Sequence, residues 1–69
     1  MITSESIAGI ALKAARLLAS GKIDPATATR IGAATQRALD DLSAGKTVED
    51  KSVTELIEAE KVLTQADRA

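Results

Sequence analysis

Residues 21–25, Gly-Lys-Ile-Asp-Pro, separate two stretches whose apolar residues recur with helical spacing. Asp followed by Pro is a strong helix-start signal, because Asp caps free amide groups and Pro fits the first helical position. Gly21 is suited to ending the preceding helix, since glycine readily adopts the left-handed backbone required there. A connection this short predicts that the two helices lie antiparallel, as a helical hairpin.

The first predicted helix, residues 4–20, is apolar over an unusually large part of its circumference. At about 100° per residue, one stripe contains Ile7, Ile10, Ala11, Ala14, Leu17 and Leu18. A second seam extends this stripe sideways, to an apolar arc of about 220°, twice the usual face. We therefore expect this helix to be covered on two sides, and we predict that an interface between copies includes the seam residues Ala8, Leu12, Ala15 and Ala19.

The second predicted helix covers residues 25–44, stops at Gly45, and has an inward face of Ala28, Ile31, Ala34, Thr35, Ala38, Leu39 and Leu42. The third helix covers about residues 52–66, with an alternative start up to one turn earlier. Two capping-box patterns compete for its start, Thr47 with Asp50 and Ser52 with Glu55. Its apolar stripe is predicted to be Val53, Leu56, Ile57 and Leu63. Residues 65–69 are expected to fray.

Glu60 lies in the middle of the apolar stripe of the third helix and has two interpretations. In the first, it faces water near the frayed end of the chain. In the second, it is buried at the interface between copies and paired with an Arg or Lys, where it would fix the register of the assembly. We include Glu60 among the predicted interface residues on the second interpretation.

The size of the chain favours self-association. Its 69 residues are enough for one domain, residues 1–69, but its apolar side chains include fourteen Ala against seventeen Ile, Leu, Val and Met. Chains below about 70–80 residues rarely gain more than about 3–5 kcal/mol from one core, and usually need disulfides, a metal or a partner. The chain has no Cys or His. The predicted fold is therefore all-α, an antiparallel helical hairpin plus a third C-terminal helix, assembled as a homo-oligomeric helical bundle.

The composition argues against most kinds of chemistry. Without His or Cys there is no ordinary nucleophile–base pair and no typical zinc site, so we expect no enzymatic activity, metal or cofactor. A net charge of −1 and the lack of aromatic residues make nucleic acid an unlikely partner. No uncharged run is long enough for a membrane span, and the N-terminus lacks the pattern of a signal peptide. Cytoplasmic residence is expected.

Basic side chains are concentrated in the first half of the chain. Residues 1–37 contain five basic and two acidic side chains, a net of +3, and residues 38–69 contain four and eight, a net of −4. Such asymmetry can hold the two halves together, within a chain or between chains, or reflect ordinary solvated faces. Arginine matches phosphate oxygens in geometry. The candidate residues for binding a nucleotide-like anion or an acidic partner are Arg30 and Arg37 on the second helix, and Lys13 and Arg16 on the first.

Residues 17–25, followed by Ala28, Ile31, Ala34, Thr35 and Leu39, resemble helical hairpins in short accessory proteins of phages and other mobile elements. The resemblance covers about half the chain, rests on capping and packing residues, and transfers no functional residue. It implies a small protein directed at a host or defence factor. We expect a non-enzymatic, regulatory homo-oligomer that binds and modulates a protein partner. The alternatives are an oligomer that sequesters a small anionic ligand such as a nucleotide, and a structural or assembly subunit.

Overall fold

The computed structural model describes residues 2–69, which form three helices and no strand. Helix α1 spans Ser4–Ala19, α2 spans Pro25–Ser43 and α3 spans Asp50–Arg68. Each helix packs against the other two, in a body of 36 × 19 × 16 Å. Helices of this length measure about 24–29 Å at 1.5 Å per residue, so they run along the long axis. The predicted all-α class is confirmed.

The first two helices begin at side chains that cap their free amide groups. The Ser6 amide donates to Thr3 Oγ1, and the Thr3 amide donates to Ser6 Oγ, both at 3.1 Å. At the start of α2, the Thr27 amide donates to Asp24 Oδ1 at 3.1 Å, and Pro25 takes the first helical position. The predicted Asp-Pro start of α2 is therefore confirmed.

The same backbone arrangement ends α1 and α2. Gly21 and Gly45 have φ values of 73° and 74°, a left-handed conformation that is costly for residues with a side chain. After α1, the Gly21 amide donates to the Leu18 carbonyl and the Lys22 amide to the Leu17 carbonyl. Equivalent bonds from residues 45 and 46 end α2. Both ends are Schellman motifs, which leave the chain free to turn back.

Helix α3 begins at Asp50, two residues before the predicted start, and neither predicted capping box caps it. The N-cap residue is Glu49, whose side chain makes no capping hydrogen bond. Val48, just before the cap, is buried in the core, and Val53, at the fourth helical position, packs against the same core. These two positions are those of a hydrophobic staple. Apolar anchoring of Val48 therefore helps to set where α3 starts.

Small and branched aliphatic side chains from all three helices form the core. Buried members are Ile7, Ile10, Ala14, Leu17, Ile31, Ala34, Ala38, Val48, Leu56, Ala59 and Leu63. The buried polar residues within 2–69 are Thr35 and Ser52. Thr35 Oγ1 donates to the Gly32 carbonyl at 2.8 Å, so its burial leaves no unpaired hydroxyl. The predicted inward face of α2 is buried or half-buried throughout.

The predicted apolar stripe of α3 is partly wrong. Leu56 and Leu63 are buried and Val53 is half-buried, but Ile57 is 52% exposed. Ala59 is buried instead, at 5%. Ala59 lies three residues after Leu56 and four before Leu63, so it shares their helical face, whereas Ile57 is about 100° away from Leu56.

The end of α3 does not fray as predicted, because the helix continues to Arg68. Ala66 packs against the core, and Asp67 Oδ2 lies 3.6 Å from Lys13 Nζ on α1. Lys22 Nζ also donates to the Asp67 carbonyl at 3.5 Å. The last turn of α3 is therefore tied to the C-terminal half of α1 and to the connection that follows it.

Candidate interaction surfaces

A groove with a volume of about 420 Å³ lies between α2 and α3. Apolar and polar side chains of both helices line it. The apolar lining residues, which we call its floor, are Ile31, Ala34 and Ala59, which are buried, and Ala33 and Val62, which are exposed. Thr27, Arg30 and Arg37 stand on the α2 edge, and Glu55 and Glu58 on the α3 edge. We call this surface the α2–α3 groove.

Charge in the α2–α3 groove is balanced. Arg37 Nη2 donates to Glu55 Oε2 across the groove, with the two side chains 53% and 33% exposed. Arg30 is exposed and forms no ion pair with any residue in the range 2–69. Glu58 lines the same groove. An anion that approached the two arginines would therefore also meet two carboxylates.

The four predicted ligand-binding residues do not form one site. Arg30 and Arg37 share the α2–α3 groove, as their spacing on one edge of α2 predicted. Lys13 lines a second groove, of about 330 Å³, between α1 and α3. Arg16 is exposed and belongs to neither groove. One copy of the chain therefore offers only the arginine pair as a candidate anion site.

The predicted interface seam of α1 is open to solvent within one copy. Leu12 is 65% exposed and is surrounded by exposed alanines. We call the set Ala8, Leu12, Ala15 and Ala19 the α1 seam. Leu18, beside it, is 38% exposed. No other part of residues 2–69 covers these side chains. In the predicted stripe on the other side of α1, Ile7, Ile10, Ala14 and Leu17 are buried, but the inclusion of Leu18 in that stripe was wrong.

Glu60 does not lie with the other predicted interface residues. It is exposed and lines the α1–α3 groove together with Lys13. Lys13 is about 130° around α1 from the middle of the α1 seam, at 100° per residue. One flat interface cannot contain both Glu60 and the α1 seam. Within a single copy, Glu60 is exposed.

The N-terminus of α2 contributes an electrostatic feature next to the α2–α3 groove. Hydrogen bonding to the Asp24 carboxyl, first from the Thr27 side chain and then from the Thr27 backbone amide, lowers the pKa of this carboxyl below its ordinary value. The positive charge of Arg30 acts in the same direction with a smaller effect. Asp24 thus stabilises the first turn of α2 most strongly when it is ionised.

No group of three or more acidic side chains placed to hold a metal ion occurs within residues 2–69. None of the helices described is both long and apolar enough to cross a membrane. Comparisons with protein-family models, with curated proteins and with solved structures give no match for this chain. The α2–α3 groove and the α1 seam are the candidate interaction surfaces.

Proposed function

We propose that this protein is a non-enzymatic homo-oligomer that acts by binding and modulating another protein. The observation that supports this most directly is the α2–α3 groove, in which buried and exposed apolar side chains lie together with charged side chains of both helices. Val62, on that floor, is 41% exposed. Covering a branched aliphatic side chain of this kind is favourable by roughly 25 cal/mol for each Å² removed from water.

A helix with an apolar stripe is the partner element that fits the groove best. Three of the floor residues are alanines, which allow another helix to approach closely. Arg30 has no ion pair among the described residues and suits an acidic side chain on one edge of the partner. Glu58 suits a basic side chain on the other edge. Such rim charges orient a partner, while apolar contacts supply most of the affinity.

The identity of the partner follows only from the resemblance of residues 17–39 to accessory proteins of mobile elements. Proteins of that kind act on components of the cell that the phage or mobile element enters. We propose a host or defence protein as the partner to be tested first. The cytoplasm is the compartment in which we expect to find it.

A nucleotide-like anion is the second candidate, because Arg30 and Arg37 do share one groove. Guanidinium groups bind phosphate well when they are free to do so. Arg37, however, already binds Glu55, and Glu58 lies in the same groove. A phosphate would have to displace one carboxylate and tolerate another, which makes a protein partner the better proposal.

The test places a photo-reactive amino acid on α3, either at position 62 or at position 65, in the cells that produce the protein. Val62 and Gln65 are both exposed and about one helical turn apart, but only Val62 lines the groove. We expect a protein that crosslinks from position 62 and not from position 65. That protein is then purified and titrated calorimetrically with the unmodified chain. Equal crosslinking from both positions would contradict the groove as the binding site.

Two charge substitutions make the titration specific. Val62→Glu puts a carboxylate on the apolar floor and should weaken partner binding at least about tenfold, a loss of about 1.4 kcal/mol. Gln65→Glu adds the same charge outside the groove and should change binding less than about twofold. A nucleotide panel is titrated alongside. Heat that disappears in the Arg30→Gln, Arg37→Gln double variant would establish the anion binder and refute the protein partner.

A further inference from the structure

We propose that a second copy of this chain covers the α1 seam, with the two α1 helices antiparallel about a twofold axis. This arrangement specifies how the homo-oligomer of the proposed function is built. It rests on the proposed function only in assuming that the chain self-associates. The α2–α3 groove takes no part in it.

The positions of the α1 seam form a nearly straight strip along the helix. Ala8, Leu12, Ala15 and Ala19 are separated by four, three and four residues, the spacing of the core positions of a coiled coil. Leu12 is the only large side chain in the strip and is 65% exposed. A second helix that packs along the strip would cover all four residues at once.

The arrangement of one leucine among three alanines favours the antiparallel direction. If the two helices cross midway between Leu12 and Ala15, each Leu12 meets Ala15 of the second copy, and each Ala8 meets Ala19. The two leucines then occupy separate layers, so the distance between the helices can stay nearly even. A parallel pair would put Leu12 against Leu12 and hold the alanine layers apart, leaving voids of the kind that destabilise packed interfaces.

Charge favours the same direction. Glu5 lies at the N-terminal end of the strip, one turn before Ala8. A parallel pair would bring the two Glu5 carboxylates together at one end, where like charges repel. The antiparallel pair places them at opposite ends of the interface, separated by most of the length of α1.

An uncharged strip of α2 lies beside the α1 seam and adds to the surface available for a dimer. Its residues, on the side of α2 away from the α2–α3 groove at about 100° per residue, are Gly32, Gln36, Leu39 and Ser43. On α1 itself, the exposed Arg16 borders the seam, four residues after Leu12. A face two helices wide on a body of 36 × 19 × 16 Å offers roughly 600 Å² per copy, against about 800 Å² per partner in standard interfaces. A dimer through this face would therefore lie at the lower end of the size range of specific interfaces.

The α2–α3 groove of each copy stays open in this dimer, because residues of α2 and α3 alone line it. The dimer therefore presents two equivalent grooves. A partner with two suitable helices, or an oligomeric partner, would bind both and gain affinity through the high effective concentration of the second groove.

Sedimentation equilibrium on the full chain tests the interface. We expect the unmodified protein to dimerise, and Leu12→Ala to raise the dissociation constant at least about 100-fold, since two leucines are lost per dimer and each is worth about tenfold or more. Ile57→Ala removes a similarly exposed aliphatic side chain from α3 and should change the constant less than about threefold. A monomer at all concentrations, or an equal effect of both variants, would overturn the proposal.

The direction of pairing is tested by crosslinking, which is simple because the chain has no cysteine. Ala8→Cys and Ala19→Cys variants are treated with a short bis-maleimide, separately and mixed. The antiparallel dimer predicts linked dimers only in the mixture. Linked dimers of either variant alone would overturn the antiparallel arrangement.

The Val62→Glu variant separates this inference from the proposed function. Dimerisation should be unaffected by Val62→Glu, because the α2–α3 groove lies outside the interface. Loss of the dimer in this variant would show that a second copy occupies the groove, and would overturn the α1 pairing. An intact dimer together with failure to find any groove partner would refute only the proposed function.

Discussion

Replacing Leu63 with Ala measures how firmly α3 is held against the hairpin. Leu63 is 1% exposed and, with Ile7, is among the largest fully buried side chains. The substitution removes about three carbon groups, worth about 2–2.5 kcal/mol in transfer free energy, and the remaining cavity can raise the loss to about 5 kcal/mol. A chain of this size gains only about 3–5 kcal/mol from its core. We therefore expect Leu63→Ala to be largely unfolded when dilute.

The assay is a urea titration followed by circular dichroism, at a concentration low enough to keep the chain monomeric. Leu12→Ala is the matched control, because it makes the same chemical change at a side chain that is 65% exposed. It should alter the free energy of unfolding by less than about 0.5 kcal/mol. A loss below about 1 kcal/mol for Leu63→Ala would refute the packing of α3 described here.

Three smaller effects follow from backbone conformation and charge. Gly9→Ala should raise the free energy of unfolding by about 0.5–1 kcal/mol, because Gly9 is helical and an added Cβ meets nothing within 4 Å. Gly21→Ala should lower the free energy of unfolding by about 1 kcal/mol, because Gly21 has a φ of 73°. Urea titration measures both. The lowered pKa of Asp24 means that its stabilising effect is present above the ordinary value of 3.8 and is lost as pH falls through the lower value of the folded state. Asp24→Ser keeps a capping side chain that does not ionise. In melts recorded from neutral to strongly acidic pH, this variant should lack the part of the stability loss that comes from protonation of Asp24. Asp67→Asn removes an exposed ion pair with α1 and should cost at most about 0.5 kcal/mol, an effect that high salt abolishes in the same titration.

Local chemistry made the ends of the hairpin helices predictable. Asp24 and Pro25 define the start of α2, and glycines at positions 21 and 45 end α1 and α2, because each signal acts within one turn of chain. The start of α3 was less predictable, because its N-cap residue Glu49 makes no side-chain capping hydrogen bond. The spacing of Val48 and Val53 is that of a hydrophobic staple, but it marks the start only when both side chains reach the core, which depends on how α3 packs.

The residues of the candidate surfaces could be predicted where they lie together on a single helix. A spacing of seven residues was enough to place Arg30 and Arg37 on one edge of α2. The position of Glu55 opposite Arg37 depends on how α3 packs against α2, which residue spacing does not specify. The same holds for Glu60, whose separation from the α1 seam follows from the side of α1 on which α3 lies.

The two ion pairs of the described residues show what the uneven charge distribution does within one copy. Lys13 with Asp67, and Arg37 with Glu55, each join the basic first half of the chain to the acidic third helix. The attraction between halves that the sequence allowed is thus present within the chain. All four side chains are about a third exposed or more, so these pairs add little to the free energy of unfolding. They favour the observed position of α3 against the hairpin.

Folding and assembly are thermodynamically linked in a chain with so small a core. Four of the eleven buried apolar residues are alanines, which contribute little buried area each. A second copy that binds only the folded chain adds about 2.7 kcal/mol of stability when its concentration is 100 times the dissociation constant. That is comparable with the whole contribution expected from the core. Leu12 would then matter little to the dilute monomer and greatly to the protein at cellular concentration, because it stabilises the fold only through the dimer.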